Sequence, residues 1–129
     1  MAAIFNICVI DDEMSIRDTF KWHLEDQGHK VTAFDCPDEM ISYCDKCFCR
    51  EMPCFDVIFV DYNMLPISGL DFLIHSTLPH CKLPANRKFL MSGAFTNQTK
   101  TRAQGMGFRA LHKPVYLHTL TEILESLYE

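Results

Sequence analysis

Short, mostly apolar runs alternate along this chain with segments whose apolar residues recur every three or four positions. The first run, Ile4 to Ile10, is almost continuously apolar, the pattern of a strand covered on both faces within a parallel sheet. Ile16, Phe20 and Leu24 then recur at helical spacing, with Ser15 and Asp18 placed as a capping box and Gly28 closing the segment. Lys30 to Phe34 reads as a second strand. Pro37 suits the first position of a second helix, with Asp38 and Glu39 in its first turn and Met40, Ile41 and Cys44 on one side. Phe55 to Asp61 is a third buried strand. Leu70, Leu73 and Ile74 mark a third helix, in which Ser68 and Asp71 repeat the capping pattern. Lys88 to Met91 gives a fourth strand ending at Ser92 and Gly93. Thr96 to Gln104 reads as a helix polar almost all round, Phe108 to His112 as a short fifth strand, and Leu117, Leu120, Ile123, Leu124 and Leu127 as a strongly amphipathic last helix.

Strands alternating with helices in this way predict a doubly wound α/β fold, a five-stranded parallel sheet with helices on both faces. Such folds bind ligands beyond the carboxyl ends of the strands, near the switch in strand order. Asp11, Asp12, Asp61, Ser92 and Lys113 all stand just past predicted strand ends, so they are expected to meet. At 129 residues the chain is read as one domain, residues 1–129, with no room for a separate output domain.

Charge and cysteine content narrow the picture. The net charge is -5, from 17 acids and 12 bases, and the bases do not cluster, which argues against a nucleic-acid surface. No apolar run is long enough to cross a bilayer, and "MAAIFN" lacks the basic opening of a secretion signal, so the expected address is the cytoplasm, away from membranes. Seven cysteines, an odd number, are then read as thiols. Cys44, Cys47, Cys49 and Cys54 crowd together. Their spacing lacks a second well-formed pair, so a zinc or redox cluster stands as a secondary expectation beside plain reduced thiols.

Three acids at one crevice repel one another unless a cation or proton is shared among them. Oxygen ligands at a partly open site suit Mg²⁺, which takes only one or two carboxylates directly and leaves another free to act as a nucleophile. Phosphoryl transfer needs a positioned attacking oxygen, a divalent cation and fixed positive charge, and the set contains each part. Taken singly, the acids could be helix caps, Ser92 a turn residue and Lys113-Pro114 a chain reversal. Their ordered combination points further.

The segments "VIDDE", "FVDYNMLPISGLDFL", "MSGA" and "ALHKPV", in this order and over almost the whole chain, resemble the receiver domain of two-component response regulators, the CheY-like superfamily. The resemblance implies a flavodoxin-like fold and a stand-alone phosphorelay signalling protein rather than an enzyme acting on other substrates. It makes Asp61 the phosphoacceptor, Asp12 a direct Mg²⁺ ligand, Asp11 a ligand through water and Asn63 the donor of a backbone carbonyl. Ser92 and Lys113 would bind the phosphoryl group. The implied partners are a histidine kinase or histidine phosphotransfer protein and a downstream protein on the face formed by residues 96–128.

Two other readings compete. A Mg²⁺-dependent phosphohydrolase would use Asp61 as covalent nucleophile, but Asn63 stands where it would need a second acid. A degenerate receiver is disfavoured by the intact acids, Ser92 and Lys113. The chain also departs from the receiver pattern. Ala110 stands three residues before the lysine, where receivers carry Tyr or Phe, and Ala94 stands two residues after Ser92, where a polar side chain could orient water. Signal is therefore expected to leave through the loop after Gly93 and the helix from Thr96. The connection holding the cysteines is enlarged as well.

Overall fold

The computed structural model describes residues 4–45, 55–64, 67–75 and 83–127. In chain order these form β1 (Asn6–Ile10), α1 (Met14–Asp26), β2 (Lys30–Phe34), α2 (Pro37–Asp45), β3 (Val57–Asp61), α3 (Gly69–His75), β4 (Lys88–Ser92), α4 (Asn97–Gly105), β5 (Arg109–His112) and α5 (Leu117–Ser126). The strands make one sheet in the order β2-β1-β3-β4-β5, parallel throughout. The expected doubly wound α/β architecture is what forms.

The lack of alternation in the strands has a direct cause. Side chains along a strand point to opposite faces in turn, and here both faces are covered. Ile7, Val9, Val57, Phe59, Phe89 and Met91 pack on one face with Phe20 and Leu24 of α1 and Leu120, Ile123 and Leu124 of α5. Cys8, Ile10, Ile58, Val60 and Leu90 pack on the other with Met40 of α2, Leu70 and Leu73 of α3 and Ala103 of α4. At the centre of the first layer the Phe59 and Phe89 rings stack at 5.0 Å, and Phe20 meets Phe59 edge-on at 5.6 Å. The edge strand β5 is only partly covered, and Arg109 there sets its guanidinium 4.9 Å from the Phe89 ring centroid.

Helix ends follow their local chemistry, with one correction. Gly28 (φ 96°) and Gly107 (φ 85°) adopt the left-handed conformation after α1 and α4. Each closes a Schellman motif: the N–H of His29 donates to the carbonyl of Leu24 at 3.1 Å, and that of Phe108 to the carbonyl of Ala103 at 3.0 Å. Both turns deliver the chain straight into a strand. Ser68 caps α3 as expected, its Oγ accepting from the N–H of Asp71 at 3.1 Å, and Thr96 caps α4 by accepting from Thr99 at 3.1 Å. The capping box expected of Ser15 and Asp18 does not form. Helix α1 starts at Met14 with Glu13 as N-cap and no side-chain cap bond, which puts Ser15 inside the helix rather than at its cap, and the N–H of Glu13 donates to Asp11 Oδ1 at 2.9 Å.

At the other end of β1 the N–H of Phe5 donates to Nδ1 of buried His29 at 3.1 Å, and the two rings stack at 5.5 Å. An accepting Nδ1 requires the neutral ring with its proton on Nε2. Burial holds His29 below its ordinary range. The unfolded chain therefore takes up this proton before the folded one does. Stability from this group is complete above about pH 6.5 and is lost as pH falls below it toward the folded value. Urea unfolding measured from about pH 8 down to pH 5 is expected to show that loss, and His29→Asn, which keeps an acceptor but cannot titrate, to flatten it. An unaltered pH dependence in His29→Asn would place the effect elsewhere.

Candidate functional site

Strand order reverses between β1 and β3, and the crevice at such a switch point lies beyond their carboxyl ends. The acids that terminate these strands fall there. Asp11 is fully buried, Asp61 is 3% exposed and Asp12 reaches solvent, with one carboxylate oxygen from each lying within 4.8 Å of the others. Asp11 is held by its backbone, donating its N–H to the carbonyl of Phe34 at 3.1 Å and accepting from Nη1 of Arg17 at 2.7 Å. Asp61 closes β3 opposite Met91 of β4, and the N–H of Tyr62 donates to the Met91 carbonyl at 2.7 Å. Gly69, at the start of α3, lies against this strand end. A Cβ there would run into the Asp61 carbonyl oxygen and approach Val60 Cγ1 to 2.9 Å, so only glycine fits.

Lys113 ties the acids together from the far side of the sheet. It follows β5, and its Nζ lies 2.8 Å from Asp11 Oδ2 and 2.9 Å from Asp61 Oδ1. Burial by itself would lower the lysine, but the bonds to Asp11 and Asp61 outweigh it and raise it, keeping the ammonium charged. Asp61 is raised, first by burial and then by repulsion from Asp11 and Asp12; the Lys113 hydrogen bond opposes this without cancelling it. Ser92 ends β4 almost fully buried. Its Oγ accepts from the N–H of Ala94 at 3.1 Å, and its carbonyl accepts from the N–H of Lys113 at 2.9 Å. The Lys113-Pro114 peptide is cis.

Three carboxylates against one ammonium leave two negative charges in the crevice. An all-oxygen donor set with one exposed member suits a hard divalent cation of the Mg²⁺ type. Both oxygens of Asp11 already accept hydrogen bonds, from Glu13 and Lys113, whereas Asp12 presents its carboxylate to solvent. Asn63 stands exposed in the loop two residues beyond Asp61.

Of the four cysteines expected to crowd together, Cys44 falls among the described residues. Cys44 is wholly buried in the core, close to Cys8, where burial raises the Cys8 thiol and keeps it protonated. Cys44 thus packs as a small apolar side chain, while Cys47, Cys49 and Cys54 lie outside the described residues. Sequence reasoning overlooked Gly69 as a site residue, although the run Ser68-Gly69 before an apolar helix signalled its position.

A parallel sheet in the order β2-β1-β3-β4-β5, with acids closing its two switch-point strands and a lysine from β5 between them, defines a receiver module of two-component signalling. This chain belongs to the family of response regulator receiver domains, whose sequence model matches residues 7–125. No curated protein sequence matches significantly. Among solved structures the chain is similar to the chemotaxis protein CheY4 of Vibrio cholerae, at 23% identity with a TM-score of 0.77, covering 97% of this chain and 99% of that one. It is also similar to a two-component response regulator from Clostridium difficile, at 20% identity, TM-score 0.78 and coverage of 94% and 93%. A third is a response regulator receiver domain protein from Clostridium thermocellum, at 26% identity, TM-score 0.73 and coverage of 98% and 93%.

The electrostatics of the crevice give opposite signs for two substitutions. Because Asp61 is raised, its ionised form opposes folding at neutral pH, and this penalty disappears as pH falls below the unfolded carboxylate value near 4. Asp61→Asn should therefore raise Tm in metal-free buffer at pH 7, by about 4 °C for each kcal/mol relieved, with the gain shrinking in acid. Lys113→Ala leaves buried Asp11 without its cation and should cost about 3 kcal/mol or more. Thermal unfolding of both variants checks the pair, and a loss of stability in Asp61→Asn at pH 7 would contradict this electrostatic account.

Proposed function

We propose that this receiver domain accepts a phosphoryl group on Asp61 from a phosphohistidine of a histidine kinase or phosphotransfer protein, with Mg²⁺ bound, and works in the cytoplasm. The observation that carries the reading is the Lys113 ammonium held between Asp11 and Asp61 at the strand-end crevice, where a fixed cation would meet a phosphoryl group on Asp61. Burial and repulsion raise Asp61, which increases the basicity of its attacking oxygen. That oxygen attacks phosphorus, the P–N bond of the donor breaks, and the electron pair stays on the imidazole nitrogen, which takes up a proton. An acyl phosphate remains on Asp61. Lys113 then pairs with one phosphoryl oxygen, and the Ser92 hydroxyl can turn to donate to another. Asp12 directly, Asp11 through water, Asp61 and the Asn63 carbonyl would hold Mg²⁺, which when bound offsets charge on the transferred group. With Ala94 two residues beyond Ser92, Asn63 is the residue among those described that is left nearby to influence hydrolysis.

The approach of the donor is supported by a groove of about 430 Å³ beside Lys113, walled by Ile16, Thr19 and Phe20 of α1 and by Pro114 and Val115 beyond β5. The downstream partner in this reading is a protein docking on the face around residues 96–128.

Intact-mass measurement after incubation with acetyl phosphate and Mg²⁺ is expected to show one added phosphoryl group on the wild type and none on Asp61→Ala. Undiminished incorporation in Asp61→Ala would exclude Asp61 as acceptor. Sustained phosphate release without an accumulating adduct would favour a phosphohydrolase. Mg²⁺ at constant ionic strength should also raise Tm, reaching about 2.7 kcal/mol of stabilisation at a hundredfold excess over Kd, and Asp12→Ala should abolish most of this response. Equal responses in both proteins would remove Asp12 from the metal site.

A further inference from the structure

Three aromatic side chains meet just outside the crevice, and each comes from a loop or strand end that carries a site residue. The Phe95 ring, three residues after Ser92, lies edge-on to the His112 imidazole, with centroids 5.3 Å apart and planes at 89°. His112 immediately precedes Lys113. The ring of Tyr62, which immediately follows Asp61, lies 6.5 Å from Phe95 at 60°. Phe95 and Tyr62 are half-buried against the core layer that contains Leu90, Ala103 and Phe108, whereas His112 is exposed. Alternation along β5 puts Ala110 and His112 on the same face, and the small Ala110 contributes no ring there.

Phe95 is also mechanically linked to the crevice. The buried Ser92 hydroxyl accepts from the N–H of Ala94, the residue directly before Phe95. Turning that hydroxyl toward a phosphoryl oxygen on Asp61 either releases the Ala94 N–H or draws it along, and so acts on the backbone one residue before Phe95, whereas Tyr62 and His112 are tied to the ends of β3 and β5.

We propose that Phe95 is the positioning residue that transmits the state of Asp61 to the β4–α4 loop and the exposed edge of β5, through its ring contacts with Tyr62 and His112. The inference rests on Asp61 being the phosphoacceptor. Phosphorylation changes the Phe95–His112 geometry, and the start of α4, capped one residue later by Thr96, follows it.

The test uses beryllofluoride with Mg²⁺ as the phosphoryl mimic and two independent signals. Bound fluoride resonances in ¹⁹F spectra report loading of the site, and the His112 Hε1 resonance reports the Phe95 ring, whose ring current acts on it. In the wild type, loading is expected to shift the His112 resonance and to alter hydrogen exchange over residues 97–105. Phe95→Leu should load to the same extent but lose both responses, and Phe95→Tyr should restore them. A loaded wild type with an unmoved His112 resonance, or Phe95→Leu with wild-type exchange changes, would overturn the role of Phe95. Absence of bound fluoride in the wild type would overturn the phosphoacceptor reading itself, and this inference with it.

Discussion

The Lys113 ammonium, 2.8 Å from Asp11 and 2.9 Å from Asp61, is the contact on which the rest of the site depends. Without it two buried carboxylates would face each other from adjacent strands, in surroundings that strengthen their repulsion. The lysine comes from the far end of the sequence and must cross the end of β4 to reach them. Its anchor is therefore the whole right side of the sheet: the β4–β5 register, and the bond from its own N–H to the Ser92 carbonyl. Closing this ion group is equivalent to placing β5 correctly, so fold and site are specified together.

The sheet was legible in the sequence because its strands are buried on both faces. The runs at Ile4 to Ile10 and Phe55 to Asp61 could not be amphipathic helices, and the acids ending them marked where the chain leaves the core. The polar α4 was legible too, since only Ala103 among its residues is buried. Local reading failed at one helix start. Ser15 and Asp18 had the spacing of a capping box, but α1 begins at Met14, so Ser15 lies within the helix and not at its cap.

The set Asp11, Asp12, Asp61, Ser92 and Lys113 followed from one rule, that residues just beyond parallel strands converge. The structure does bring the three acids and the lysine together. What the pattern could not reveal depends on distance rather than position. The backbone contact at Gly69 needs the closeness of α3 to β3, and the pairing of Phe95 with His112 joins residues from separate segments whose chemistry is unremarkable in the sequence. Cys44, for which the sequence left both a ligand and a plain reduced thiol open, lies on the inner side of α2 as part of the core.

Helix α4 buries a single methyl side chain, so the apolar free energy that holds its side chains against the sheet is under about 1 kcal/mol. If an element held so weakly has a second position close in energy, small differences in affinity suffice to choose between the two. Linkage then works in both directions. A protein that gripped α4 in only one such position would alter the equilibrium constant for adding a phosphoryl group by the same factor by which phosphorylation altered the grip. A target that bound a receiver domain in this way would therefore also be one of its effectors, shifting the equilibrium extent of its phosphorylation.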